Sequence, residues 1–463
     1  MTYYDLSEKK LLAIKTLKEL KKAGYASVGI KEELRKNLLK SLKNGDSVFK
    51  GIWGYEHTVI PDIERAILAK HNINFLGLRG QAKTRIARMM VFLLDEWIPI
   101  VQGSELNDDP LRPISHYALS KLKGEGDNTT ISWLHRNERY TEKLATPDVS
   151  IADLIGDVDP IKAASLKLSY SDQRVIHYGL IPRSNRSIFV INELPDLQAR
   201  IQVALFNILQ EGDIQIRGFK LRLPLDIQFV FTANPEDYTN RGSIVTPLKD
   251  RIDSQIITHY PKRIDVGKKI TQQEVQLELE QQQVVKSFDL VKDLVEQIAF
   301  EARESEYIDG KSGVSARMTI SAYENLISAA ERRMIKNGME KTTVRVTDFV
   351  GVIPGITGKV ELVYEGEQEG PGIVAANLIS KAIRAQFVNF FPDPEDIRKN
   401  KKKNSPYQAI SEWFGKGNMV DLILDASDSE YSSCLKSIPG LADLVNKRYG
   451  QESEDYRLFL MEL

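Results

Sequence analysis

The stretch GLRGQAKTR, Gly77 to Arg85, ends a glycine-containing loop with a lysine and a hydroxyl side by side. A triphosphate needs backbone N–H groups and a helix N-terminus around its anionic oxygens, a lysine for the β and γ phosphates, and a hydroxyl for Mg²⁺. The segment can supply all three. Gly77, Arg79, Gly80, Gln81, Ala82, Lys83, Thr84 and Arg85 are therefore the candidate nucleotide-binding residues. One position departs from the pattern G-x-x-x-x-G-K-[ST]: Ala82 stands where the second glycine is required. A positive φ there would cost a Cβ-bearing residue about 1 kcal/mol, and its methyl would crowd the phosphate. That weakens binding without forbidding it.

Three further groups could act on the same substrate. In IFVINE, Ile188 to Glu193, an apolar strand ends in Asn192 and Glu193. Two acids at such a strand end place one carboxylate on the metal's water shell and the other as the base that orients the attacking water. Asn192 can still hydrogen-bond a metal-bound water through its carbonyl oxygen but lacks the charge, so Thr84, Asn192 and Glu193 form a weakened metal set. Asn234 in FTANP is placed to align the lytic water, and Arg251 in TPLKDRID to reach a phosphate held by a neighbouring subunit. Each has a plainer reading: a strand closed by a capping acid, an Asn-Pro turn, a surface ion pair.

These groups must be positioned by regular elements. Ile73–Leu76 is a short apolar strand running into the loop, with helices over Val59–Ala69 before it and Thr84–Leu94 after it. RSIFVINELPDL and LDIQFVFTANPEDY each carry an apolar run of strand length ending in polar groups, with a helix over Asp196–Gln210 between them. Apolar strands alternating with helices predict a parallel sheet covered on both faces, with a site at its carboxyl edge. Gly212–Pro224 reads as a hairpin. Residues 5–44 read as one or two amphipathic helices, with Leu11, Ile14 and Leu17 on one face and Leu34, Leu38 and Leu42 on another. From about Thr271 the pattern turns helical, through Phe288–Glu301 and Ala316–Lys336. A tail follows from about Gly351, with a Gly/Glu-rich loop at Tyr364–Gly372, an apolar helix near Ile373–Phe391 and the basic run Arg398–Asn404.

The bulk composition narrows the function classes. With 463 residues the chain can hold two or three domains. Its 63 basic and 64 acidic residues give a formal charge of −1, so nucleic acid is not an expected partner. The single cysteine, Cys434, cannot form an internal disulfide, and the opening MTYYDLSEKK lacks an apolar signal core, which points to a reducing cytoplasm. No apolar stretch approaches the length of about 18 residues that a membrane span needs.

Taken in order, these segments resemble an AAA+ ATPase, and within that superfamily the magnesium-chelatase I subunit and MoxR branch, over roughly residues 48–350. GYEHTVIPDIERAIL resembles the leader helix and SELNDDPLRPI the acidic stretch after the first core helix. SIADLIGDVDPIKAA to GLIPRSNRSIFVINELPDL resembles the helix-2 insert and second Walker segment. TANPEDY to LKDRID resembles sensor 1 and the arginine finger, and GVSARMTISAYENL the sensor 2 start of a helical lid.

The resemblance implies an α/β fold: an AAA+ P-loop core with a parallel sheet flanked by helices, then a helical lid and a mainly helical C-terminal extension. The implied divisions are an N-terminal helical arm over 1–46, the core over 47–262, the lid over 263–350 and the extension over 351–463. It implies ATP and Mg²⁺ as ligands, with Tyr55 at the nucleotide, Glu193, Asn234 and Arg251 as catalytic groups, and Arg317 on the phosphate. It also implies a homo-oligomeric ring, a hexamer, working on a client through a partner with a von Willebrand A-type domain. The insert over 148–179 and the hairpin with Arg217, Lys220 and Arg222 would face the pore or that partner. Two departures, Ala82 and Asn192, bear on affinity for phosphate and metal, so a slow ATPase is expected. The alternative is a nucleotide-binding scaffold with little hydrolysis. A transcriptional or replication ATPase is a third reading, disfavoured by the neutral charge.

Overall fold

The computed structural model describes residues 6–169, 172–216, 222–235, 243–399 and 405–463. The chain divides into two compact units, one formed by Met1–Leu78 and Ala82–His259, the other by Arg79–Gln81 and Tyr260–Leu463.

In the first unit, helices α1 (Ile30–Asn44) and α2 (Val59–Leu68) precede strand β1 (Ile73–Leu76), which leads through the loop into helix α3 (Lys83–Met89). Strands β2 (Tyr140–Leu144) and β3 (Ser187–Asn192), helix α4 (Ala199–Glu211), and strands β4 (Ile227–Ala233) and β5 (Ser254–Ile257) follow. The five strands form one sheet in the order β5-β1-β4-β3-β2, and every neighbouring pair is parallel. This is an α/β architecture, as the alternation of apolar runs and helices predicts.

Strand side chains alternate between faces, so the central strands β3 and β4 each feed two cores. Ile188 and Val190 of β3 join Ile73, Phe75, Ile63, Ile86 and Leu34 beneath α1, α2 and α3. Phe189 and Ile191 join Phe229, Phe231, Ile201 and Leu205 on the α4 side. A sheet covered on both faces needs apolar residues at every central position, and β3 and β4 are buried throughout.

Helix α1 is fastened to this sheet at both ends of its first turns. Asp226, just ahead of β4, accepts from the Ile30 N–H over 2.8 Å. Glu33 takes both guanidinium nitrogens of buried Arg139, ahead of β2, at 2.6 and 2.7 Å. Leu34 and Leu38 are buried, whereas Leu42, predicted on the same face, is exposed because the helix runs past the core. Among its described residues the N-terminal segment holds three helices, not one or two: Glu8–Leu12, Leu17–Lys22 and α1.

Within the span 148–179, Gly156–Val158 pairs antiparallel with Ile176–Tyr178. The predicted hairpin pairs Asp213–Gln215 with Arg222–Pro224. Its tip, with Arg217 and Lys220, lies outside the described residues, as do residues 400–404 of the basic run.

The second unit is mainly helical. Helices α5 (Ile264–Glu274), α6 (Asp289–Glu304), α7 (Arg317–Lys336) and α8 (Pro371–Phe390) pack with the C-terminal helices Asp428–Lys436, Leu441–Tyr449 and Glu454–Glu462. A single apolar core runs from Val285 through Leu294, Leu326 and Leu378 to Met461. The expected Gly/Glu-rich loop at Tyr364–Gly372 is instead a helix, Tyr364–Glu369, followed directly by α8. Glycine serves close approach there: a Cβ on Gly366 would lie 2.4 Å from the Tyr307 carbonyl oxygen, so only glycine lets the turn seat against that strap. Among the described residues, no helix is long and apolar enough to cross a membrane.

Candidate functional site

Three neighbouring strands, β1, β4 and β3, end at the same sheet edge, and each hands a polar group to one cluster. Beyond β1, the Gly77 N–H donates to the Ala233 carbonyl over 3.1 Å, so the loop starts in register with the end of β4. The loop turns into α3 at Ala82, whose φ of 58° is left-handed. The positive φ expected at this position is therefore present, on a residue that carries a Cβ.

Lys83, the first residue of α3, reaches back across the loop. Its Nζ donates to Asn234 Oδ1 over 2.7 Å, to the Leu78 carbonyl over 3.0 Å, and to the Gly77 carbonyl. Beside it, the Thr84 hydroxyl donates to Asn192 Oδ1 over 3.3 Å. Glu193 follows directly in a left-handed turn, φ 56°, and its N–H donates to the Thr232 hydroxyl over 3.1 Å. That hydroxyl in turn donates to Asn192 Oδ1 over 3.2 Å. Lys83 and Thr84 thus meet the side chains of Asn234 and Asn192 from distant parts of the sequence, and the Glu193 backbone joins them through Thr232.

Four members of the cluster were not foreseen. Thr232 lies two residues before Asn234 on β4, and the strand's period of two could have pointed to it. Glu142 on the edge strand β2 accepts from the Asn192 amide, Nδ2 to Oε1, over 2.7 Å. Arg88 of α3 closes on Glu142 with Nε and a terminal nitrogen at 2.9 and 3.1 Å, and the Tyr140 hydroxyl donates to the same carboxylate over 3.0 Å. The hydrogen bond to Glu142 holds the Arg88 guanidinium above its ordinary pKa. Burial, then the Glu142 charge, pushes the Tyr140 phenol up.

The remaining predicted residues have other surroundings within their own units. Tyr55 is buried in the core beneath α2, its hydroxyl donating to the His259 carbonyl over 2.7 Å and its ring edge-on to the His259 ring at 5.0 Å. Arg85 is exposed on α3. Arg251 is held on α4, donating to Gln210 Oε1 at 3.0 and 2.8 Å and resting 5.1 Å over the Phe206 ring. Arg79, Gly80 and Gln81 group with the second unit. There Arg79 pairs with Glu361 and Ser312, its carbonyl accepts from the Tyr260 hydroxyl over 2.8 Å, Gly80 has φ 72°, and Gln81 is buried. Arg317, also in the second unit, is the exposed first residue of α7.

No family model and no curated protein matches the sequence. Among solved structures, the chain is similar to a candidate ATPase from Cytophaga hutchinsonii, at 17% identity over 77% of this chain and 96% of that one, with a TM-score of 0.30. It is similar to the complex between subunits BchI and BchD of magnesium chelatase, at 17% identity over 74% and 97%, TM-score 0.33. It is also similar to Hsp104 in its closed state with casein, at 13% identity over 68% and 51%, TM-score 0.40. At these identities and TM-scores the likenesses carry nothing about activity, and the site rests on the chain's own geometry.

Proposed function

We propose that this chain binds and slowly hydrolyses ATP, as an AAA+ ATPase similar to the magnesium-chelatase I and MoxR branch, and thereby drives a conformational change in a partner protein. The observation that carries the reading is the meeting of Lys83 and Thr84 with Asn234 and Asn192 at the carboxyl edge of one parallel sheet. Lys83 exchanges its carbonyl contacts for the β and γ phosphates, which are stronger, charged acceptors. Glu193 serves as the base, and Asn234, held beside the ammonium, aligns the lytic water.

The donor set fits Mg²⁺ only together with the phosphates. Among the described residues no group of three or more His, Cys, Asp or Glu side chains could hold a metal. Mg²⁺ is commonly held by one or two protein oxygens and otherwise by water and substrate. Of the set Thr84, Asn192 and Glu193, the Thr84 hydroxyl and the Asn192 carbonyl oxygen would face it, with the Glu193 carboxylate beside its water shell. When bound, the ion neutralises charge on the phosphates.

Arg251 is proposed to act on the nucleotide of a neighbouring copy in a six-membered ring, Arg317 on the phosphates, and Tyr55 as part of the nucleotide's surroundings. A von Willebrand A-type partner completes the proposal. Steady-state phosphate release from the full chain, compared with Glu193→Gln, tests the central step. The reading expects slow release that disappears in the variant; equal release from both proteins contradicts it.

A second reading is favoured by Asn192, whose neutral amide gives the metal no charge: a scaffold that binds nucleotide and barely turns it over. Binding without release in either protein would select it.

A further inference from the structure

Resting on the nucleotide reading above, we infer that Glu142 is a positioning residue that supplies, one strand away, the negative charge missing at Asn192. The geometry comes from sheet register. Glu142 on β2 sits opposite Val190 on β3, so its side chain shares a face with Val190 and with Asn192 two residues on. A diagonal neighbour on a sheet is within reach of a long side chain. The Glu142 carboxylate uses that reach to accept from Asn192 Nδ2 at 2.7 Å.

That bond fixes which way the amide points. Nδ2 faces the carboxylate, and Oδ1 faces the hydroxyls of Thr84 and Thr232 at 3.3 and 3.2 Å. The reverse orientation would set a carbonyl against a carboxylate and an NH₂ against the metal side. A carboxylate behind an amide also polarises it, raising the electron density on Oδ1. Asn192 therefore presents an oriented, electron-rich oxygen where a strand-end aspartate would present a charged one. Arg88, with its side chain 64% exposed, tempers the charge from the other side of Glu142, whose side chain is 22% exposed.

The arrangement is reciprocal, so the charge can be moved. Glu142→Gln removes it while keeping a side chain of the same shape. Asn192→Asp with Glu142→Gln returns it to the neighbouring strand, with an amide donor now at position 142. The test is the Mg²⁺ concentration that half-saturates binding of a fluorescent ATP analogue to the full chain, with a Mg²⁺-free arm. Loss of an outer partner of a metal ligand weakens the metal by roughly 10- to 100-fold. The expected result is a rise of about that size in Glu142→Gln and recovery to within a few-fold in the double variant. Arg88→Ala, a surface change that unshields Glu142, shifts the midpoint to lower Mg²⁺. An unchanged midpoint in Glu142→Gln, or no recovery in the double variant, overturns the inference while leaving the nucleotide reading intact. If Glu142→Gln does not fold, an unchanged or higher midpoint in Arg88→Ala overturns it. No analogue binding by the unaltered protein with or without Mg²⁺ overturns both.

Discussion

Lys83 donates to the side-chain oxygen of Asn234 over 2.7 Å, joining positions 151 residues apart at the head of α3 and the end of β4. The bond exists because β1 and β4 are direct parallel neighbours, paired from Ile73 with Val230 to Leu76 with Ala233. Whatever β1 and β4 present beyond their last paired residues must therefore meet.

Replacing Asn234 with alanine should separate binding from turnover. If Asn234 aligns the lytic water, its loss acts in the transition state. Removing one such positioned polar group lowers kcat by about 100-fold or more. Phosphate-release kinetics should show that drop with KM changed by no more than a few-fold. A raised KM with unchanged kcat would assign Asn234 to ground-state binding instead.

Ala82 tests the loop's backbone. Its left-handed φ of 58° carries a strain of about 1 kcal/mol that glycine would not feel. Glycine also gains about 0.4–1 kcal/mol of unfolded-chain entropy, so Ala82→Gly should leave thermal stability nearly unchanged. Nucleotide affinity should rise as the methyl leaves the loop. Ala82→Val should destabilise clearly, because a β-branched side chain tolerates positive φ poorly. Equal melting temperatures for the valine variant and the unaltered chain would argue against this account of the turn.

The Glu33–Arg139 pair, 5% and 1% exposed, anchors α1 to the sheet. Removing one member leaves a buried charge alone, which costs about 3–5 kcal/mol. Denaturant unfolding of Glu33→Ala should show a loss of that order. A loss under about 1 kcal/mol, the usual range for exposed pairs, would mean that the pair is not buried in solution.

In the second unit, burial raises Glu296 on α6 from its ordinary 4.5 to about 6, against the opposing effects of Thr271, Arg303, Thr319 and Lys268. Because the folded value lies above the unfolded one, the protonated form is favoured by folding. The associated stability is fully present below pH 4.5 and is lost as pH rises through about 6, by about 2 kcal/mol. Urea unfolding at pH 5 and 7 should show this trend in the unaltered chain and its loss in Glu296→Gln. The same trend in both proteins would assign it to other groups.

How much of this was readable in the sequence follows burial. β1, β3 and β4 are interior strands whose apolar runs stop at polar groups, so the sheet's centre and the residues at its edge could be read directly. β2 and β5 flank the sheet as YTEKL and SQII, where an edge strand needs no continuous apolar run, and neither was recognised. Glu142 was missed with β2, for its link to Asn192 depends on strand order and register, which no local pattern contains. Tyr364–Glu369 looked like a loop because glycine and glutamate suggest exposure, whereas Gly366 serves close packing.

The convergence of Lys83 with the strand-end residues is tested most directly by calorimetric titration of ATP with Mg²⁺ into the full chain and into Lys83→Ala. The account predicts saturable binding to the unaltered protein and at least a 100-fold weaker affinity in the variant, about 3 kcal/mol. Equal binding by both, or none by the unaltered protein, would contradict it.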